Sequence, residues 1–465
     1  MIKKSLAVFS VAVAFFAYGQ DVSVIRNAVD VYSDTQFSGT SRYNSMAGSM
    51  GALGGDISSM AINPAGVGVA IASDLGVTLN INSSENTSAL HGNSYKYKIN
   101  DTDLNHVGGI AVFPLRNTSA WKFVNVGFSY NRKSAEDYIE TPGNQNITYD
   151  LPNDDQLLFS GHAYDRVGNA SKMSIAVGGN YDNRIYVGGA INLHTASISQ
   201  YDSAAMTYAS DNYSEIFNKQ YTPFQEDGSG FSASVGVIGK VNNALRLGAS
   251  IETPTWWTID RAYQYYGYNS DEDGIYSEKR NLATPFKTTI SAALVPNKDL
   301  SVNLDYSLGL SKPNFGKMDS AAQTEMDNFM DNNYKNMSEI RIGAEYRIMD
   351  LRLRAGYAYA SSPFDQMTLN TISSSGQLID QSFDNLYVGK RNTVGAGIGY
   401  DFKSFYIDAA YNHITSEINS PFLSGSASAG SEYYSDSAFF SDPSPLVSQV
   451  DNKRNNFSIT LGWKF

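Results

Sequence analysis

The sequence predicts an all-β fold: a transmembrane antiparallel β-barrel of about fourteen strands, its lumen occupied by an N-terminal plug. Three observations point there. Segment after segment alternates apolar and polar residues. The connections between segments are short and long in turn. A secretory signal opens the chain, yet no later apolar run reaches the ~18–20 residues that a membrane-spanning helix needs. The last segment is the clearest: Phe457, Ile459, Leu461, Trp463 and Phe465 share one face, and Ser458, Thr460, Gly462 and Lys464 the other. A strand has a side-chain period of two, so one face meets lipid and the other a polar lumen.

Lys3 and Lys4 precede an apolar run from Leu6 to Ala17, and Ala17-Tyr18-Gly19 supplies the small residues of a cleavage site. Residues 1–19 are therefore expected to be a signal peptide and Gln20 the mature N-terminus. Residues 20–72 are the expected plug, and 73–465 the barrel with long extracellular loops. Export and a barrel together predict the outer membrane of a Gram-negative bacterium.

Strands are expected near 75–84, 106–114, 122–132, 171–180, 185–198, 230–240, 244–252, 285–294, 299–309, 338–348, 351–360, 391–402, 404–413 and 455–464. Tight turns rich in Asn, Asp and Pro fall at Leu115–Trp121, Tyr181–Arg184, Val241–Asn243, Pro296–Lys298, Met349-Asp350 and Lys403-Ser404. Between them run links read as loops: 85–105, 133–170, 199–229, 253–284, 310–337, 361–390 and 414–453. Short turns on one rim and long links on the other is the outer-membrane arrangement, with both termini on the short-turn side.

Charge on a lipid face costs roughly 2–4 kcal/mol at the midplane. The alternation therefore turns Arg341, Glu345, Arg347, Arg352, Arg354, Asp305 and Asp408 inward. Those arginines are expected to pair with Glu345, Asp305, Asp408 or a plug carboxylate such as Asp56, or to neutralise a fatty-acid carboxylate.

The 465 residues include no Cys, 31 Tyr and 23 Phe, only 17% are charged, and the net charge is −12. Such a balance opposes nucleic-acid binding. Without Cys there is no disulfide framework or thiolate metal site. The five His, at 91, 106, 162, 194 and 413, form no ligand spacing, and there is no G-x-S-x-G, P-loop or dinucleotide fingerprint. No cofactor, metal or catalytic residue is expected. A lipase built on His413 is a distant alternative.

Residues 21–72 lack alternation. Gly48, Gly51, Gly54 and Gly55 permit tight turns and close approach, and Ile57 to Ile62 reads as a short helix stopped by Asn63-Pro64. A fourteen-stranded lumen is wider than side chains alone fill, so the segment belongs inside.

The stretch Ser38 to Gly66, ending Asn63-Pro64-Ala65-Gly66, resembles the N-terminal hatch of the FadL/TodX/OMPP1 family of outer-membrane transport proteins. So do Leu351 to Tyr359 with Ser362-Pro363, Gly395 to Tyr400, Asp408 to Tyr411 and the terminal Phe465. The resemblance implies a fourteen-stranded barrel plugged by its N-terminus that passes hydrophobic compounds, with ligand binding shifting the hatch and a kinked strand offering a sideways exit. It makes Asn63, Pro64, Ala65 and Gly66 hatch residues. Gly108, Gly109 and Gly127 are candidates for the kink.

Trp256, Trp257, Tyr265 and Tyr266 in one long link, and Met326, Phe329 and Met330 on an expected helix in the next, are candidates for ligand capture. The expected function is passive uptake of hydrophobic compounds such as long-chain fatty acids. The alternatives are a haem or aromatic-compound receptor and a non-transporting surface barrel. Expected partners are outer-membrane lipid, a hydrophobic small molecule and, through the strand ending at Phe465, the barrel-assembly machinery; a monomer is expected.

Overall fold

The computed structural model describes residues 21–34, 38–115, 119–151, 155–219, 221–266, 273–318, 320–423 and 445–465. The expected signal peptide and Gln20 lie outside them.

Fourteen strands close into one antiparallel ring. They are β1 (Asp74–Leu90), β2 (Asn93–Pro114), β3 (Trp121–Ser134), β4 (Gln156–Tyr181), β5 (Ile185–Tyr208), β6 (Phe224–Lys240), β7 (Leu245–Glu252), β8 (Lys287–Leu294), β9 (Leu300–Gly309), β10 (Ser338–Ile348), β11 (Leu351–Ala360), β12 (Arg391–Asp401), β13 (Phe405–Phe422) and β14 (Leu446–Lys464). β14 pairs with β1 from Asp74↔Lys464 to Ala89↔Gln449, which removes the sheet edge. Ser73 and Phe465 exchange backbone hydrogen bonds of 3.1 Å, so the chain end meets the start of β1 at the short-turn rim.

The alternation falls as the sequence predicts. Ile459, Leu461 and Trp463 are exposed on the outside while Ser458 and Thr460 are buried; Ile340 and Ile342 are exposed while Arg341 and Glu345 are buried. An apolar outside around a polar inside is stable only with lipid around it.

The links expected to be loops are mostly strand. Residues 85–105 form a hairpin turning at His91-Gly92. β3 resumes as Asp137–Asp150, β7 resumes as Trp256–Tyr265, and β8 is preceded by Gly274–Ala283. Beyond the hydrocarbon the outward face has no reason to be apolar, so the period-two signal vanishes while the ladder continues. The expected helix in 310–337 is α3 (Ser320–Asn333), numbered after α1 (Asp21–Asp30) and α2 (Ser41–Ser45).

Candidate functional site in the lumen

Residues 38–73 pack against the inward faces of the wall. Ser41 N donates to Thr460 Oγ1 (2.7 Å) on β14, and Asn412 Nδ2 on β13 donates to Asn44 O (2.8 Å). Gly51 N donates to Asp305 on β9 (3.0 Å), and Arg246 on β7 donates to Leu53 O (2.9 Å). Asn125 Nδ2 on β3 donates to both Val67 O and Ala70 O, each at 2.8 Å. The bonds come from all round the ring.

Asn63-Pro64-Ala65 is a capped turn. Asn63 Oδ1 accepts from Ala65 N (3.0 Å), Pro64 opens the 3-10 helix Pro64–Val69, and Asn63 Nδ2 donates to Gly51 O (2.8 Å) and to Val237 O of the wall (3.2 Å). The helix expected at Ile57–Ile62 is a 3-10 turn, Ile57–Ala61, capped by Asp56. Gly48, Gly54 and Gly55 take positive φ, as their tight turns require. Gly51 serves space instead: a Cβ there would stand 2.1 Å from Ser291 Oγ.

Sequence reasoning missed a ring of wall glycines. An added Cβ at Gly178 would lie 2.4 Å from Gly68 N, at Gly188 2.4 Å from Pro64 O, at Gly236 2.0 Å from Asn63 Oδ1, and at Gly356 2.3 Å from the carbonyl carbon of Met46. Gly178, Gly188 and Gly356 seat the N-terminal segment backbone against backbone, and Gly236 makes room for the Asn63 side chain. Their inward parity on strands of bulky outward residues was a readable sign. Gly108 and Gly127 belong to the same set, facing Ile57 and Met60.

The inward arginines are paired. Glu345 accepts from Arg42 Nε (2.8 Å), Arg354 Nε (2.7 Å) and Arg347 (3.1 Å), and Arg354 also reaches Asp408 (2.7 Å). Arg352 meets Asp401 (3.3 Å) and Arg341 meets Glu339. Arg42, on α2, thus ties the N-terminal segment to β10. Asp305 binds the Gly51 amide rather than an arginine, and Asp56 lies 3.9 Å from Arg42.

α1 sits nearer the long-link side. Val24, Ile25, Ala28 and Val29 join an apolar cluster with Phe224, Trp257, Ile259, Leu282, Met326, Met330 and Phe364. Trp257 Nε1 donates to Tyr32 O (3.2 Å), Arg26 pairs with Asp137 (2.6 Å) and Arg166 with Asp30. Burial alone would raise the Asp30 carboxyl; Arg166, Lys133 and Arg454 hold it below the ordinary carboxylate range. Trp257, Met326, Phe329 and Met330, candidates for capture, are therefore buried under loops and α1. Trp256 is exposed and lies along Phe231, while Tyr265 and Tyr266 are half-buried. Trp256, Trp257 and Tyr265 lie on a strand, Trp256–Tyr265, whose residues above the hydrocarbon carry no clean period of two and so read as a loop.

Among the described residues, the ladder between β2 and β3 ends early. β2 pairs with β3 from Pro114↔Phe123 to His106↔Asn131 and no further. Above that level β2 pairs with β1 alone, among the described residues. The resumed strand Asp137–Asp150 pairs with β4 and bends inward, where Asn86 and Ser88 on the lumen face of β1 bond to Asp137 (2.8 Å) and Thr141 (2.9 Å). The bend is at Ala135-Glu136, not at Gly108, Gly109 or Gly127. A cavity of about 190 Å³ lies above residues 38–48 and reaches this parting, with Asp101, Asp103, Asn105, Arg132 and Glu136 at the gap. The wall parts where its outer surface turns from Ile81 and Leu104 to Glu85, Lys96 and Lys98.

No family model and no curated protein matches the chain by sequence. Solved structures do match. A Pseudomonas aeruginosa FadL homologue aligns over 92% of this chain and 98% of its own, with a TM-score of 0.60 at 13% identity. The Pseudomonas putida toluene transporter TodX aligns over 93% and 99%, with 0.52 at 14%. The monoaromatic hydrocarbon channel CymD aligns over 92% and 97%, with 0.52 at 11%. The chain has the fold of the FadL-type barrels, over nearly its whole length.

Proposed function

We propose that this chain is a passive outer-membrane channel for hydrophobic compounds that carry a polar head, long-chain fatty acids among them, and that it is not an enzyme. The observation that carries the reading is the pairing of a lumen filled toward the short-turn rim with a wall that parts sideways at β2 and β3. A FadL-type fold supports it, as does the use of that fold by a toluene transporter and a monoaromatic hydrocarbon channel.

In this reading residues 20–72 are the hatch, with Asn63-Pro64-Ala65-Gly66 and Gly48, Gly51, Gly54 and Gly55 as its framework. The apolar tail of a ligand displaces contacts in the α1 cluster, gaining about 25 cal/mol per Å² of buried apolar surface. Hatch movement follows, and the compound leaves through the parting. Cells lacking the protein are expected to take up labelled palmitate more slowly than complemented cells, and deletion of residues 21–66 to alter uptake while the barrel still folds. Equal uptake with and without the protein overturns the fatty-acid reading. Large, steady conductance of the intact chain in planar bilayers overturns the hatch.

A further inference from the structure

At the parted seam the cavity is walled by hydrogen-bond acceptors that the protein leaves unused. Asn80 and Asp103 stand directly opposite each other on β1 and β2, both at least nine-tenths buried. Asn80 Nδ2 donates to Ser38 Oγ (3.0 Å), and among the described residues neither its Oδ1 nor Asp103 Oδ1 has a partner. The register slips between Thr78 and Leu79, so Asn105 is unpaired in the β1 ladder and its side chain turns inward beside that of His106. Its Nδ2 reaches Arg132 O across the seam (3.4 Å) while its Oδ1 is buried and has no partner among the described residues. Among the described residues, Asp101, Asp103 and Glu136 form no ion pair, although Asp101, Asp103 and Arg132 lie within electrostatic reach of Glu136.

At the gap three carboxylates and two free amide oxygens thus face the Arg132 guanidinium, the neighbouring Lys133 being bound to Asp34. Buried acceptors left without donors are expensive, by roughly 1–3 kcal/mol each, so the arrangement calls for a donor-rich group. No cluster of three acidic or His side chains fit to hold a metal ion exists among the described residues. An organic cation, which needs only hydrogen-bond distances, suits the spacing better than an ion that needs a closed shell of oxygens.

We propose that the seam between β2 and β3 is a recognition site for the ammonium head of an amphiphile, with Asn80, Asp103 and Asn105 accepting its N–H groups and Asp101 and Glu136 compensating its charge. The head rests at the height where the outer surface turns charged, and the tail lies toward hydrocarbon through the gap. This deepens the channel reading and rests on it.

The test uses the mature chain in phosphatidylcholine nanodiscs, titrated calorimetrically with n-octylammonium and with n-octanoate, which share a tail and oppose each other in charge, and corrected against empty discs. Charge-assisted hydrogen bonds of this kind predict octylammonium binding tighter by about tenfold. The double variant Asp103→Asn, Glu136→Gln is expected to bring the two probes close to equality. Retained heat-modifiable mobility on gels certifies its fold. Equal affinities in the parent, a preference for octanoate, or a preference that survives the double variant overturns the site. In the first two cases the channel reading stands. Binding of neither probe above empty discs overturns both.

Discussion

Below His106 and above it, one barrel obeys two sets of rules. In the lower half every seam is laddered, the inward wall is pared to glycine, and residues 38–73 are bonded to strands all round the ring. In the upper half the β2–β3 ladder has ended, β3 bends inward at Ala135-Glu136, and Tyr97 and Tyr138 pack across the seam with ring centroids 4.2 Å apart. Lipid enforces the first set, because an unpaired backbone group in hydrocarbon costs several kcal/mol. Water and headgroups relax it, and there the chain has room for recognition.

The sharpest way to break the lower half is Arg42→Ala. It removes two charge-assisted hydrogen bonds to the buried Glu345, worth about 1.5–3 kcal/mol each, while Arg354 and Arg347 remain as partners. The N-terminal segment should become sensitive to protease from the short-turn side while the barrel keeps its heat-modifiable mobility. Next is Ile342→Arg on the outer face of β10, expected to cost roughly 2–4 kcal/mol in reversible folding into bilayers, against about 0–1 for Thr102→Arg at the level of the parting. Equal costs would deny that the two halves lie in different solvents. Gly356→Val should cost about 1–3 kcal/mol by overpacking and raise single-channel conductance as Met46 is pushed away. Smallest is Asn63→Ala, which removes a cap and hydrogen bonds worth about 1–2 kcal/mol. It should lower the midpoint of segment release in denaturant without changing that of the barrel.

The lower half was the legible one. Each of the fourteen expected strands has its counterpart, since lipid outside and polar bore inside write a period of two into the residues, as in Ile340 to Ile348. The inward arginines followed from the same alternation. The upper half wrote no such signal. Residues 93–98 are exposed on both faces, so their strand looked like a loop. α1 did carry one, with Val24, Ile25, Ala28 and Val29 at helical spacing, but it is short and stands among small residues. The bend at Ala135-Glu136 has no glycine or proline to announce it; it comes where β3 loses β2 after Asn131 while keeping β4 as its partner through Asp137, a property of neighbours that no local pattern encodes. Trp257 and Met330 illustrate the same limit: an aromatic or Met in a link reads alike whether it greets a ligand or closes over α1.

The unladdered flank of Asn93–Asn105 also fixes how the tube rides in its bilayer. Among the described residues no strand ladders onto that flank, and unpaired backbone cannot sink into acyl chains, so the stretch acts as a waterline, holding the oily belt at or below Leu104. Lengthening or thinning the surrounding lipid should then tilt or strain this one side of the cylinder before any other.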